Sequence, residues 1–122
     1  MILGARARIS CDALKHNFNI LKRTTPGCKV MATVKANAYG HDVKIISQAL
    51  EDVDGLAVAR ISEILDLRDA GIDKSIISMP GIISDDELNV VFEKNSDLVV
   101  HNTEQISLLK NRSQGSIKVW LK

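Results

Sequence analysis

Aromatic residues, cysteines and long apolar runs are all scarce in this sequence of 122 residues. Aromatics make up 3% of the chain, with one tryptophan, Trp120, and one tyrosine, Tyr39. The two cysteines, Cys11 and Cys28, lack the spacing of a metal or redox site, so we expect reduced thiols in a reducing compartment. No apolar run approaches the roughly 20 residues of a membrane helix, and the amino terminus lacks the apolar segment of a secretory signal. A soluble cytoplasmic protein is therefore expected.

The charge of the chain is also small. Sixteen Lys and Arg residues against 15 Asp and Glu residues leave a net charge of +1. Without a basic field, binding to nucleic acid is not expected as the main function. The sequence shows neither metal-ligand spacing nor a glycine-rich phosphate loop of the G-x-G-x-x-G type. A hydrophobic content of 45% is enough for one domain with a real core.

Apolar segments of strand length alternate with amphipathic segments along the chain. Continuous apolar character is typical of parallel strands covered on both faces, and five such segments occupy residues 30–34, 55–59, 75–79, 98–100 and 117–121. Their spacing of about 20 to 25 residues suits βα repeats. The sequence predicts an α/β fold, the amino-terminal part of a TIM-like (β/α)8 barrel with about five parallel strands and covering helices. Periodicity leaves a doubly wound open sheet as the alternative.

The helix boundaries in this series carry recognisable signals. Ser84 with Glu87, and Asn102 with Gln105, have the spacing of a capping box at a helix start. Gly71 is placed to end a helix in the left-handed conformation. An extra amphipathic helix is predicted before the first barrel strand; Asp12 is its predicted cap, Pro26 and Gly27 follow its end, and its apolar face carries Leu14, Phe18 and Leu21. Residues 5–9 are predicted as an additional strand outside the series.

The most distinctive stretch lies directly after the first apolar strand. Lys35 is predicted at the carboxyl end of that strand, which is where parallel α/β folds build their sites. A lysine among apolar neighbours is partly desolvated, which favours the neutral amine that attacks a carbonyl group. Ala36 and Ala38 leave space beside the backbone, Tyr39 offers a hydroxyl donor, and Gly40 allows a turn. From residue types alone, the alternative is a lysine that reaches solvent at an ordinary turn.

Residues 34–41, V-K-A-N-A-Y-G-H, resemble the cofactor-attachment motif V-K-A-N-A-Y-G-H-G of the alanine racemase family, pyridoxal-phosphate enzymes of the barrel-plus-β-domain type. The match is unbroken through His41 and departs at Asp42, where the family usually has glycine. The resemblance covers nearly the whole chain, because L-A-V-A, I-I-S-M-P-G, H-N-T-E-Q and V-W-L-K are similar in order to the second to fifth strands of the family and their turns.

The resemblance implies roles for individual residues. Lys35 would form the Schiff base with pyridoxal 5'-phosphate and then act as the base on one face of the α-carbon, serving the D-enantiomer. Tyr39 would donate a hydrogen bond to the cofactor phosphate. Met79 matches a position in an apolar pocket wall, with core filler as the alternative reading. Lys122 matches a lysine that is carbamylated in many members, with an exposed lysine as the alternative. His41 is expected to make a structural hydrogen bond.

The resemblance also implies an activity, the interconversion of L-alanine and D-alanine, which supplies D-alanine for peptidoglycan. Family members are cytoplasmic homodimers whose second base, a tyrosine, comes from the carboxyl-terminal β-domain of the partner. Residues 1–122 are therefore expected to be the amino-terminal portion of the barrel and to be inactive alone. Two alternatives remain: a single-domain pyridoxal-phosphate barrel without racemase activity, and a non-catalytic βα binding module.

Overall fold

The computed structural model describes residues 4–112 and 115–122, and within these ranges strands and helical segments alternate. The strands are β1 (Met31–Thr33), β2 (Gly55–Val58), β3 (Ser75–Ser78), β4 (Asp97–Val100) and β5 (Val119–Leu121). The helical segments are α1 (Cys11–Thr24), α2 (Lys35–Gly40), α3 (Val43–Ala49), α4 (Ile61–Asp69), α5 (Asp85–Glu93) and α6 (Thr103–Asn111). Among the described residues, no helix combines the length and the apolar character needed to cross a membrane.

The five strands form one parallel sheet in the order β1-β2-β3-β4-β5. A doubly wound sheet reverses its strand order at a switch point, whereas a barrel adds each strand beside the preceding one. The observed order is that of a barrel, so the prediction of five parallel strands is confirmed. The first and last strands are shorter than the predicted segments 30–34 and 117–121, since only residues 31–33 and 119–121 are paired as strand.

The two faces of the sheet bury different side chains. On the helix-covered face, Leu56, Val58 and Ile76 are fully buried and pack in the main core with Ile64 and Leu67 of α4. A second cluster consists of Ala57, Ile77 and Val99, with Met31 and Met79 packed against it. Alternation of side chains along each strand places this second cluster on the opposite face, which is the inner face of the barrel.

Two predictions at the amino terminus are wrong. Residues 4–10 have no regular secondary structure, so the additional strand over residues 5–9 is not formed. Backbone groups of a strand need a neighbouring strand, and the described sheet pairs none with this segment. Helix α1 begins at Cys11, and its cap is Ser10, whose Oγ accepts a hydrogen bond from the amide of Ala13 at 3.2 Å. Asp12 instead lies in the first turn, where its charge complements the helix dipole.

The other predicted helix boundaries are confirmed. The Oγ of Ser84 accepts from the amide of Glu87 at 3.2 Å, and Oδ1 of Asn102 accepts from the amide of Gln105 at 2.9 Å. Gly71 follows α4 with φ of +78°, the left-handed conformation that glycine adopts without steric cost. The caps at Ser84 and Asn102 fix where α5 and α6 begin after the carboxyl ends of β3 and β4, on the rim that carries the candidate site. Gly71 lies at the opposite end of the sheet, before β3.

Candidate functional site

Lys35 lies just beyond the carboxyl end of β1, as predicted. The amide of Val34 still donates to the carbonyl of Ala57 at 2.9 Å, so the chain stays attached to the sheet up to the residue before the lysine. The Lys35 side chain is partly buried, and its Nζ lies 5.9 Å from the centroid of the Tyr39 ring. The ring of Tyr39 is 59% exposed. The structure therefore places the predicted amine near the ring of Tyr39 at one strand end.

The four residues after Lys35 form a left-handed turn. Ala36, Asn37, Ala38 and Tyr39 have φ between 53° and 56° and ψ between 35° and 51°. Residues with a Cβ avoid this region, at a cost of roughly 1–2 kcal/mol per residue. A run of four persists only when surrounding contacts over-determine it, and such strain is concentrated at functional sites.

Three contacts hold the turn in place. The amide of Ala36 donates to Oε1 of Glu63 at 2.6 Å, and the amide of Val43 donates to Oδ1 of Asn37 at 2.8 Å. The Nδ1 of His41 lies 2.8 Å from the carbonyl oxygen of Ala38 and must carry a proton to donate to it. His41 therefore makes the structural hydrogen bond expected from the sequence.

The departure from the family motif at Asp42 has a local explanation. Asp42 has φ of 71° and ψ of 101°, which suits glycine better than aspartate. Its Oδ1 accepts hydrogen bonds from the amides of Lys44 at 3.0 Å and Ile45 at 3.2 Å. The aspartate thus caps α3, and that cap compensates in part for the strained backbone.

An open cleft adjoins Lys35 between the ends of β1 and β2. Its volume is about 570 Å³, within the range of small-molecule sites. Its lining includes the small Ala36 and Ala59 together with polar side chains of Lys35, Asn37 and Arg60. Glu63 and Asp66 also line the cleft, whereas Tyr39 does not, so the cleft offers the Lys35 amine, polar groups of both charges and space for a small molecule.

The other predicted residues lie further round the same rim. Met79 directly follows β3, its amide donates to the carbonyl of Val58 at 2.9 Å, and its side chain packs on the inner-face cluster. Lys122 directly follows β5, is exposed, and its amide donates to the carbonyl of Val100 at 3.0 Å. Between the described residues, no hydrogen bond or ion pair joins Lys35 to Met79 or Lys122.

Glu63 contacts the turn after Lys35, and the sequence did not predict this contact. Besides Ala36, its carboxylate accepts hydrogen bonds from the amides of Ala59 and Arg60, both at 2.9 Å. The third position of a helix is a common place for a glutamate that caps its own helix, which is the signal present in the sequence. The contact with Ala36 spans 27 positions and depends on the pairing of β1 with β2.

The fold and the site together define the amino-terminal segment of a parallel (β/α)8-type barrel with a partly buried lysine at its carboxyl-terminal rim. The chain belongs to the family described as alanine racemase, N-terminal domain, whose family model matches residues 9–122.

Individual relatives agree with this membership. The chain is 48% identical over 120 residues to an alanine racemase of Pasteurella multocida, covering 97% of this chain and 33% of that protein. An alanine racemase of Haemophilus influenzae is 46% identical over 120 residues, again with 97% and 33% covered. The chain therefore spans about a third of the length of the curated relatives it matches.

Solved structures confirm the fold class. Alanine racemase from Acinetobacter baumannii superposes with a TM-score of 0.82 at 35% identity, over 84% of this chain and 31% of that one. The biosynthetic alanine racemase from Pseudomonas aeruginosa gives a TM-score of 0.84 at 32% identity, over 91% of this chain and 32% of that one. The described fold is therefore the amino-terminal part of a TIM-like barrel.

Proposed function

We propose that this chain forms the amino-terminal part of an alanine racemase and that Lys35 attaches the cofactor pyridoxal phosphate. The observation that carries the proposal is the position of the Lys35 amine, after the end of β1 and directly before a strained turn, 5.9 Å from the Tyr39 ring. A run of left-handed residues is costly and is found mainly at functional sites, so it is not expected beside an ordinary surface lysine. The whole protein would interconvert L-alanine and D-alanine.

The donor set at the strand end fits this cofactor. Its aldehyde requires a primary amine, which Lys35 supplies, and its phosphate requires hydrogen-bond donors, for which the exposed Tyr39 hydroxyl is suited. Ala36 and Ala59, which line the cleft, leave the surroundings of the lysine uncrowded. When bound, pyridoxal phosphate supplies the electron sink that makes the α-proton of an amino acid removable.

Lys35 would have two successive tasks. Its amine would hold the cofactor through the aldehyde group. With the cofactor bound, the same amine would take or return the α-proton of the substrate on one face of the α-carbon. The left-handed turn over residues 36–39 fixes the backbone next to Lys35. The fold therefore sets the direction from which the Lys35 amine would approach the α-carbon.

Met79 and Lys122 are proposed to have secondary roles. Met79, on the inner face of the barrel beside Ile77 and Val99, would form an apolar wall of the site. The Nζ of Lys122, in its neutral form, would add to carbon dioxide with loss of one proton, and the resulting carboxylate would orient a cation at the rim.

The proposal also covers the location, the oligomeric state and the metabolic role of the whole protein. A racemase of this type would act in the cytoplasm as a homodimer and supply D-alanine for the cell wall.

Labelling of the lysine tests the proposal. The chain is mixed with pyridoxal phosphate, reduced with borohydride and digested, and the pyridoxyl group is located by mass spectrometry. We expect a visible absorption band before reduction and the label on Lys35. Lys35→Ala should lose both, whereas Lys44→Ala, an exposed lysine on α3, should keep both. Label spread evenly over several lysines, or no band at all, would favour a non-catalytic βα module.

A further inference from the structure

The carboxylate of Glu63 connects two neighbouring βα turns. Its Oε2 accepts the amides of Ala59 and Arg60, which belong to the turn after β2, as expected for a residue in the first turn of α4. Its Oε1 accepts the amide of Ala36, in the turn after β1, at the short distance of 2.6 Å. Three backbone donors thus converge on one charged acceptor, and hydrogen bonds to a charged group are about twice as strong as neutral ones.

Glu87 provides an internal comparison. It holds the same position in α5 that Glu63 holds in α4, three residues after the cap. The Oε2 of Glu87 accepts the amide of Ile83, at 2.8 Å, in the turn that precedes its own helix. Within the described residues Glu87 makes no hydrogen bond to a neighbouring turn, so the contact of Glu63 with Ala36 is additional to helix capping.

The hydrogen bond between Glu63 and the Ala36 amide lies where the backbone enters the left-handed conformation. Ala36 is the first residue of the left-handed turn, with φ of 53°, and it directly follows Lys35. An amide that is held at this point fixes the peptide plane between Lys35 and Ala36. Because the Lys35 side chain starts from the adjoining α-carbon, the direction in which the amine leaves the backbone depends on that plane.

We propose that Glu63 is a positioning residue for Lys35: its carboxylate locks the amide of Ala36 and thereby directs the lysine amine toward the cofactor. The inference rests on the proposed function for the identity of the cofactor, but the locking of the Ala36 amide does not depend on it. Glu63 touches no reacting atom in this scheme.

The test compares three variants with the wild-type chain. Glu63→Asp keeps the charge but is one methylene shorter, so it retains contact with its own helix and loses Ala36. Glu63→Gln keeps one acceptor oxygen, but its side-chain NH2 group replaces the other oxygen and cannot accept a hydrogen bond from a backbone amide. Glu87→Gln is the matched control, with the same chemistry at the same helix position. Circular dichroism verifies the folded state of each, and Glu63→Asp keeps the test decisive if Glu63→Gln fails to fold.

Two quantities are measured. The first is the concentration of pyridoxal phosphate at which half of Lys35 is labelled after borohydride reduction. The second is the hydrogen exchange rate of the Ala36 amide in the absence of cofactor. We expect both Glu63 variants to need about tenfold more cofactor and to exchange the Ala36 amide about tenfold faster, while Glu87→Gln changes neither. Equal values for the Glu63 variants and Glu87→Gln would overturn the inference. A wild-type chain without label on Lys35 would refute the proposed function instead, and the amide exchange alone would then decide whether Glu63 locks the turn.

Discussion

The buried side-chain amide of Gln105 lies against the α-carbon of Gly81 and fills the space that a side chain there would need. A Cβ at Gly81 would collide with Nε2 of Gln105 and with the carbonyl oxygen of Val99. The same Nε2 donates to the carbonyl of Pro80 at 2.8 Å, and Oε1 accepts the amide of His101 at 2.9 Å. Gln105 therefore joins the turn after β3 to the turn after β4.

Gly81→Ala is expected to destabilise the chain strongly. The φ of +80° at this position disfavours any residue with a Cβ, and the displaced Gln105 amide would leave backbone carbonyls unpaired in the interior. We expect a loss of about 3 kcal/mol in the free energy of unfolding, measured by urea denaturation.

Gly71→Ala is the matched control for Gly81→Ala. Gly71 has nearly the same φ, +78°, but open space where the Cβ would lie. It should therefore cost only the backbone strain, about 1–2 kcal/mol. Equal losses in the two variants would show that Gln105 gives way and that the contact with Gly81 contributes nothing.

Substitutions at Asp42 should separate backbone strain from helix capping. Asp42→Ala keeps the φ of 71° and loses both hydrogen bonds to the start of α3, so we expect a loss of about 1–2 kcal/mol. Asp42→Gly loses the same hydrogen bonds but relieves the strain, and glycine at a cap costs only about a few tenths of a kcal/mol. Urea denaturation should rank Asp42→Gly close to wild type and well above Asp42→Ala. The reverse order would contradict the capping role.

Short-range patterns were enough to predict much of this fold. The apolar segments and their spacing predicted the parallel strands, and the cap at Ser84 and the glycine at position 71 have the expected geometry. Lys35 could be placed at a strand end because a strand and its last residue are local features. The ends of β1 and β5 were predicted less well, since their pairing depends on neighbours rather than on their own composition.

The features that could not be predicted depend on contacts between distant positions. The left-handed turn after Lys35 contains alanines, which do not favour that conformation, and one of its restraints comes from Glu63. Arg68 is a second example, because its guanidinium donates to the carbonyls of Ile72, Lys74, Lys94 and Asn95, and burial lowers its pKa. Nothing in the sequence near Arg68 specifies Lys94 and Asn95, and nothing near Glu63 specifies Ala36, because these partners lie 26 or 27 positions away.

The stability of the chain should depend on the ionisation of Asp54 at acid pH. The hydrogen bond from the Val30 amide to Oδ2 of Asp54, at 2.6 Å, lowers the pKa of this carboxyl below 3.8, and Lys22 and Lys29 act in the same direction. A carboxyl whose pKa is lower in the folded state stabilises it above the pKa of the unfolded chain. This contribution is lost as the pH falls through the folded-state pKa.

Asp54→Asn is the variant that checks this dependence. Asparagine can still accept the amide of Val30 but carries no charge, so the variant should be less stable than wild type near neutral pH. We expect the difference in urea midpoint to shrink once the pH falls below about 4. A difference that stays constant over this range would show that the charge of Asp54 does not contribute.

A polypeptide of these 122 residues is expected to bind pyridoxal phosphate at Lys35 without racemising alanine at an enzymatic rate. Racemisation removes a proton from one face of the α-carbon and returns one to the other face, and in the proposed function Lys35 would serve a single face. A positioned acid–base group contributes about 10² to 10⁴-fold to a rate, and the loss of orienting contacts costs more. The sheet is also open at β5, where Val119, Trp120 and Leu121 are 50%, 51% and 85% exposed.

The measurement that decides this prediction is the appearance of D-alanine from L-alanine, followed by chiral chromatography. The alanine racemase of Pasteurella multocida serves as reference, alongside a chimera in which the present chain replaces the matching third of that enzyme. The chimera should racemise alanine, because under the proposed function the remaining two thirds of that enzyme would supply the second base and the other barrel strands. Lys35→Ala in the chimera should abolish the activity. A turnover number for the 122-residue chain within about tenfold of the reference would mean that a second positioned base is dispensable.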